Sequence, residues 1–442
     1  MWKDGTISTS RWVWWSVCKS KRIDGSIIGG IMQFEKYTID ERQTSVSIEN
    51  SETASLRRKN IKKTGIRAFD GKKMGISGFL GNDGEAIAKK KAVENLKRGV
   101  DYRFELEQDI SRNEIDIKRK ISDDELLKIA DNTTNWISCE FDDFRFSGRF
   151  FTTMNKTMLE NTSDLSLSHE IGYFSMYYTF KKKSSTSIFD GFLSYSGRDF
   201  EIEAFKRYSS DLLKAYDNKA KSPSSRMPVI FAEEAVLGKL FNELNPHLIE
   251  SGSSLLSGKI DKKIFSEKFN LINGRIAGVD LEPFFDSEGV VPDNGIFEII
   301  KDGVIISPYT DKKISEKYGF KKTANASSAY DGMHSPSPQG LRMETTGNDL
   351  IDVINDEKCI LVVMASGGDY TSSGDYNTPV QLSFLVESGK ITARLPELYL
   401  SSNIFSMYGE DFIGVASDPF RKGNLERVFG AYMKISSQET DV

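Results

Sequence analysis

Pro228-Val-Ile-Phe-Ala-Glu-Glu-Ala-Val-Leu-Gly-Lys-Leu-Phe-Asn-Glu-Leu-Asn-Pro246 is the stretch from which the rest of the chain is best read. Its apolar run, Val229 to Phe231, suits a buried strand or the start of a helix. Behind it Leu237, Leu240, Phe241 and Leu244 recur at i, i+3, i+4 and i+7, one face of an amphipathic helix. Glu233 and Glu234 fall in the first turn, where carboxylates oppose the positive end of the helix dipole. Pro246 has no N–H and disfavours helix at the residue before it, so the helix is predicted to stop at Asn245 and to leave His247 beyond it. On the residues alone this is a core helix with two exposed acids.

A chain of 442 residues has length for about two to four domains, each large enough to bury its own core. The net charge of -5, with 28% charged residues, supplies no basic field to recruit nucleic acid. The three cysteines, Cys18, Cys139 and Cys359, are far apart and odd in number. They form neither a disulfide framework nor a C-x-x-C knuckle, which fits a reducing cytoplasmic setting. With only three histidines, His169, His247 and His334, a histidine-rich metal site is not expected.

Four of the five tryptophans lie within residues 1–15, with basic residues between Arg11 and Arg22. No apolar run there has the length of a signal-peptide core or a membrane span. Residues 1–31 read as a disordered or non-native extension, with a basic-aromatic arm touching a membrane or nucleic acid as the alternative and Met32 as the natural beginning. From Thr44 to Asn50 apolar and polar residues alternate as in a half-buried strand. Gly65–Phe69 and Lys73–Ser77 flank Asp70-Gly71, which suits a type I′ hairpin turn. Asp83 to Gly99 reads as a helix with Ala88, Ala92, Val93 and Leu96 on one stripe. Ser122-Asp-Asp-Glu125 is a capping box before another helix. Trp136 to Tyr195 suggests more antiparallel strands, with His169 in a polar loop or at a strand edge. Arg198 to Tyr216 looks helical, and the polar, aperiodic residues 217–227 form the linker between an N-terminal α+β domain (32–216) and a C-terminal β-rich domain (228–442).

Beyond the linker, Gly303, Gly389 and Gly367-Gly368 separate β-branched and aromatic runs, as turns of an antiparallel sheet or barrel do. Phe284, Phe285, Leu361–Met364 and Leu382–Val386 supply buried faces. Asp286 and Glu288 suit a general acid/base pair with split pKa values, or carboxylates that hydrogen-bond loop amides at a tight turn. Residues 365–374 lack the Gly-Lys-Ser/Thr ending of a phosphate loop and instead suit a flexible loop that contacts a peptide or a partner.

In order, several segments resemble the TldD/PmbA (TldD/TldE) peptidase family: Ser254–Lys259, Pro283–Gly289, Gly303–Tyr309, Lys322–Ala326 with Ala324 where glycine is usual, Gly374–Tyr376, Glu387–Ile391 and Ser402–Ile404. Gly65-Ile-Arg67 with Gly71 and Gly75 is similar to the family's opening sheet. The resemblance implies an α+β fold, an N-terminal antiparallel sheet with long helices followed by a mainly antiparallel, barrel-like domain. In TldD-type subunits the helix carries His-Glu-x-x-x-His, and here Glu233 and Gly238 stand at the histidine positions while Glu234 keeps the glutamate. This pattern is similar to the PmbA/TldE-type subunit. The family's cysteine ligand is expected near Gly414–Phe420, well after Cys359.

The resemblance then implies no catalytic residue and no cofactor in this chain, with zinc in a TldD-type partner. It implies unfolded polypeptide or leader peptide as substrate, neither nucleic acid nor membrane as partner, and a homodimer when the chain is alone. Asp286, Glu288, Asn325, Asp375 and Tyr376 become candidates for substrate or partner contact. Two other readings stay open: a stand-alone metallopeptidase using Glu234 with His247, and a regulator that binds peptide or protein.

Overall fold

A computed structural model describes residues 32–223, 226–292, 296–347, 350 and 357–437. The extension assigned to residues 1–31, with its tryptophan cluster, lies outside the described residues, as do Ser224 and Ser225 of the linker.

The N-terminal half is built on β1 (Gln33–Glu49), β2 (Glu52–Phe69), β3 (Lys73–Leu80), β4 (Val100–Asp101), β5 (Ser111–Asp116), β6 (Phe144–Asn161), β7 (Ser166–Lys182) and β8 (Gly191–Gly197). They form one sheet in the order β4-β3-β2-β1-β6-β7-β5, with β8 also paired to β7. Every pairing is antiparallel except β5 with β7. The expected strands are present but longer, because β1 and β2 are one hairpin that pairs along its full length. The Asp70-Gly71 turn differs from the expected type I′. Only Gly71 takes a positive φ, at 83°, and Asp70 Oδ1 instead accepts the N–H groups of Lys72 and Lys73 at 2.9 and 2.7 Å. The side chain closes the turn that a second left-handed residue would otherwise have closed.

Among the described residues three α-helices cover this sheet: α1 (Glu85–Asn95), α2 (Asp123–Glu140) and α3 (Ile202–Asp217). On α1, Ala88 and Ala92 are buried and Leu96 continues their row just beyond the helix end, against Phe34, Ile66 and Ala68. Val93, expected on that stripe, is exposed, because the packed row follows the i, i+4, i+8 line. The Ser122 hydroxyl caps α2 by accepting the Glu125 N–H at 3.2 Å. His169 corrects the expectation of a loop or strand-edge position. It sits inside β7, flanked by Thr157 of β6 and Glu114 of β5, and is 1% exposed.

The C-terminal half begins with β9 (Met227–Ala232), α4 (Glu234–Glu243) and α5 (Pro246–Glu250). A small sheet follows from β10 (Leu271–Gly274), β11 (Ile296–Lys301) and β12 (Val304–Ile305). Next come α6 (Lys312–Tyr318), the short pair β13 (Ala326–Ser327) and β14 (Ser335–Pro336), and β15 (Leu341–Met343), which joins the small sheet beside β10. The last elements are β16 (Cys359–Ala365), β17 (Asp369–Tyr370), β18 (Asp375–Glu387), β19 (Lys390–Arg394), β20 (Leu398–Asn403), α7 (Ile404–Met407), β21 (Phe412–Ser417) and β22 (Arg427–Ser437). The pairings β16-β9-β22-β20-β18 close on themselves through β16 with β18, so these five strands form a barrel. The fold is α+β with mainly antiparallel strands, and β9 beside β16 is the parallel exception in the barrel.

The barrel explains why Val229-Ile230-Phe231 is continuously apolar. Val229 and Phe231 belong to the cluster inside the barrel, while Ile230 faces outward into the cluster shared with the N-terminal sheet and α3. A strand covered on both faces has no polar side to alternate with. The outer cluster takes Phe146, Phe174 and Leu193 from the sheet, Phe205 and Leu212 from α3, and Leu382, Phe384 and Val428 from the barrel wall. Chain segments on both sides of the linker therefore share one core. Among the described residues no helix is long and apolar enough to cross a membrane.

Candidate functional site

Helix α4 runs as a regular α-helix from Glu234, directly after the barrel strand β9, with Val236, Leu237 and Leu240 buried. The helix stops before Pro246 as expected, but His247 does not lie outside helical structure. Pro246 opens the short α5, with Asn245 as N-cap accepting the His247 N–H at 3.0 Å. Glu233 immediately precedes α4 and is 5% exposed, not the exposed acid anticipated. Its Oε1 accepts the Met343 N–H of β15 at 2.8 Å, and its Oε2 accepts from Arg427 Nε of β22 at 2.5 Å. Glu234, in contrast, is exposed at the wall of a cleft of about 390 Å³. Partial desolvation there, with the Glu426 and Glu233 carboxylates close by, raises its pKa above the ordinary value.

Gly238 borders the same cleft and has open space where a Cβ would stand. A larger residue fits there, but glycine offers no donor atom, and the helix shows no widened turn around it. These positions do not fit a zinc ion: one carboxylate is committed to a guanidinium and an amide, one faces the cleft, and the third position has no side chain. Among the described residues no group of three or more His, Cys, Asp or Glu side chains is placed to hold a metal. The structure does not bring Glu234 and His247 together. His247 lies edge-on to Tyr318, with ring centroids 6.1 Å apart, and beside Asp311, whereas Glu234 has Glu233, Glu426 and Arg427 for charged neighbours.

Asp286 and Asn325 line an adjoining cleft of about 210 Å³, which shares Gly274, Glu282, Gln339 and Gly340 with the cleft at α4. Asp286 accepts the Glu288 and Val290 N–H groups on Oδ1, at 2.9 and 3.0 Å, and the Ala326 N–H on Oδ2 at 3.1 Å. Glu288, two residues on, is buried behind it. It accepts the Tyr102 hydroxyl at 3.2 Å and the Lys312 N–H at 2.9 Å. Burial pushes both carboxyls above their ordinary values, and for Glu288 the neighbouring Asp286 adds to the rise. Asn325 is 2% exposed; its Nδ2 donates to the Gln339 carbonyl at 3.1 Å and its Oδ1 has no partner. Ala324 before it holds a φ of 52°, the left-handed conformation that a glycine adopts at no cost.

Asp375 and Tyr376 do not line these clefts. Asp375 closes an exposed turn through the Asn403 amide at 2.8 Å and the Ser373 hydroxyl at 2.7 Å, and these bonds hold its pKa low. Residues 365–374, expected to be a flexible loop, include the hairpin strand β17. Tyr376 is 7% exposed and packs its ring against that of Tyr370, with centroids 4.6 Å apart and planes tilted by 36°. The hydroxyls of Tyr370 and Tyr408 both donate to the Val236 carbonyl of α4, at 3.5 and 2.8 Å. Tyr376 thus acts on α4 through the ring beneath it.

Five further residues complete the arrangement: Gly65 and Arg67 belong to the Gly65-Ile-Arg67 phrase noted in the sequence, and no local pattern announces the other three. Arg67, fully buried, donates to Glu35 at 2.6 Å, to the Ser287 carbonyl at 3.0 Å and to the Ser328 hydroxyl at 2.6 Å, so the first hairpin holds the Asp286–Glu288 loop. Gly65 on the same strand has no room for a side chain, since a Cβ there would meet the Tyr330 carbonyl oxygen at 1.6 Å. Arg342 and Arg427 stand between the cleft at α4 and a larger one of about 810 Å³. Lys312 reaches back to the Glu105 carbonyl and the Glu107 carboxylate, each at 2.8 Å.

Residues 224–438 match the PmbA/TldA metallopeptidase C-terminal domain. An uncharacterized protein of Methanocaldococcus jannaschii is 26% identical over 241 residues, 52% of this chain and 57% of that protein. A protein of Methanothermobacter thermautotrophicus named metalloprotease is 25% identical over 230 residues, half of each chain. The chain's match therefore spans only about half the length of these relatives. In fold the chain is similar to TldE of Thermococcus kodakarensis, with a TM-score of 0.76, 18% identity, and 92% of this chain and 97% of that one covered. A Thermotoga maritima protein, named for a suggested modulation of a DNA gyrase, aligns with a TM-score of 0.71 and 15% identity over 92% and 96% of the two chains. With the family model matched over residues 224–438 and a relative named metalloprotease, this C-terminal region belongs to the PmbA/TldA metallopeptidase domain family, and the fold of the chain is similar to that of TldE.

Proposed function

We propose that this chain is the PmbA/TldE-type subunit of a cytoplasmic heteromeric peptidase, and that zinc and the bond-breaking step belong to a TldD-type partner. The observation that carries the reading is the ion pair at the start of α4: Glu233, at the position of the first histidine, is bound to Arg427 and the Met343 amide, and Gly238 leaves the second position empty. The three clefts along α4, β10 and β15 adjoin one another through shared wall residues and mix charged with apolar lining, which supports a segment of unfolded polypeptide or leader peptide over a compact small molecule. Asp286 and Asn325 border that path and are its contact candidates. Glu288, Asp375 and Tyr376 serve the framework around it.

The experiment is to mix the purified chain with a family member that carries His-Glu-x-x-x-His. We expect one co-eluting species at micromolar concentration, with peptidase activity that neither chain has alone. Separate peaks well above that concentration, or peptide cleavage by this chain by itself, contradict the proposal.

A further inference from the structure

Arg342 is the guanidinium of the cleft region that is least provided for. Strand β15 places Leu341 and Met343 in the core, so strand alternation directs Arg342 to the opposite side, where it forms part of the wall between the cleft at α4 and the 810 Å³ cleft. The residue is 6% exposed, and its Nε and Nη2 are buried without a hydrogen-bond partner. The nearest acid, Asp280, holds Oδ2 at 3.4 Å from Nε, and that oxygen already accepts the Ile276 N–H at 2.5 Å. Its neighbours are differently placed: Arg427 is bound to Glu233, and Arg198 bonds Asp116 and the Asp280 carbonyl. Buried donors left without acceptors are costly, and a guanidinium fork is matched in shape by a carboxylate.

We propose that Arg342 is a docking point for a ligand carboxylate, the free C-terminal carboxylate of a peptide lying across the two clefts. This assignment rests on the reading of the clefts as a peptide path. Arg427 adds positive charge beside the site. Asp280, Glu233 and Glu344, the acids that face Arg342, select against a second negative group further along the peptide. An Asp or Glu side chain of the peptide presents the same chemistry as its C-terminus, and the test separates the two.

Binding to the full-length chain is measured by ligand-observed NMR for acetyl-trialanine as free acid and as amide, for acetyl-Ala-Glu-Ala amide, and for a long unfolded polypeptide. The free acid is expected to bind at least tenfold more tightly than either amide. Arg342→Gln removes that preference, and Arg342→Lys keeps part of it. Arg342→Met is expected to melt no lower than the native chain, since it removes a poorly paired buried cation; a large drop in melting temperature assigns Arg342 to structure and overturns the proposal. Equal binding of acid and amide, or an acid preference that survives Arg342→Gln, also overturns it. Equal affinity of the internal glutamate peptide overturns the C-terminal assignment. Polypeptide binding without any acid preference defeats the subsite and leaves the proposed function standing. Acid-selective tripeptide binding without polypeptide binding keeps the subsite and defeats the peptide path. Failure of every probe to bind contradicts both.

Discussion

Two pairs of neighbouring acids, Glu233 with Glu234 and Asp286 with Glu288, look alike in the sequence and do different things in the fold. In the first pair the members part company: Glu233 is buried against Arg427, and Glu234 faces open cleft. In the second pair Asp286 stays at the cleft wall with its carboxylate bound to loop amides, while Glu288 is buried against the Lys312 amide and the Tyr102 phenol, which ties the barrel half to the N-terminal half. The difference lies in what arrives from elsewhere in the chain. Arg427 comes from 194 residues away, and Tyr102 reaches Glu288 across 186. An acid pair is a motif only once its partners are known.

The sharpest way to break this contrast is Arg427→Met. It leaves Glu233 buried with only the Met343 amide, and breaking a buried pair from one side costs about 3–5 kcal/mol. Denaturant melts are expected to show a loss of about 3 kcal/mol. The double variant that also carries Glu233→Leu is expected to recover most of it, because no uncompensated charge remains. A loss below about 1 kcal/mol in the single variant would mean that the pair does not fix the start of α4.

The second pair is tested by pH. Folded Asp286 and Glu288 hold their protons to higher pH than in the unfolded chain, because burial raises both. Their contribution to stability is therefore complete below the ordinary carboxylate range and is lost as pH rises through their raised values. Glu288→Gln removes one of these titrations and can still accept the Lys312 N–H. Its stability is expected to fall less steeply between about pH 5 and about pH 9, gaining more than about 1 kcal/mol on the native chain at the alkaline end. Parallel curves for the two proteins contradict this.

The smallest effect is expected beside the second pair. Ala324 holds a φ of 52°, the region that glycine enters freely, and a left-handed alanine costs roughly 1–2 kcal/mol. Ala324→Gly is expected to raise stability by about 1 kcal/mol, less the chain entropy that glycine adds to the unfolded state. A drop in melting temperature would show that the alanine methyl packs usefully there.

What could be read in advance follows the range of the interactions. The apolar face of α4, the cap at Ser122 and the β2–β3 hairpin around Asp70-Gly71 depend on neighbours a few residues away or on one repeating pattern. The continuous run at Val229–Phe231 was ambiguous because a strand covered on both faces leaves no alternation, and only the closed barrel resolves it. The burial of Glu233 and His169, the partners of Arg67, and the residues Arg342 and Arg427 were out of reach for another reason. Each is defined by contacts across sheets or halves, and a buried histidine such as His169 carries no mark in its own neighbourhood. Of the candidate site, the missing donor at Gly238 was plain from one letter, while the commitment of Glu233 to Arg427 needed the fold.

The central claim of the proposed function is that Glu234, although it resembles the glutamate of the His-Glu-x-x-x-His motif in position, performs no chemistry in this chain. It is tested most directly in the mixed assembly with a His-Glu-x-x-x-His partner, by placing Glu→Gln once in each subunit. Glu234→Gln in this chain is expected to leave kcat for peptide cleavage within about twofold, whereas the same change in the partner's motif removes it, since loss of a general base costs typically 10²–10⁴-fold. A drop of a hundredfold or more from Glu234→Gln here, with the assembly intact, would contradict the account.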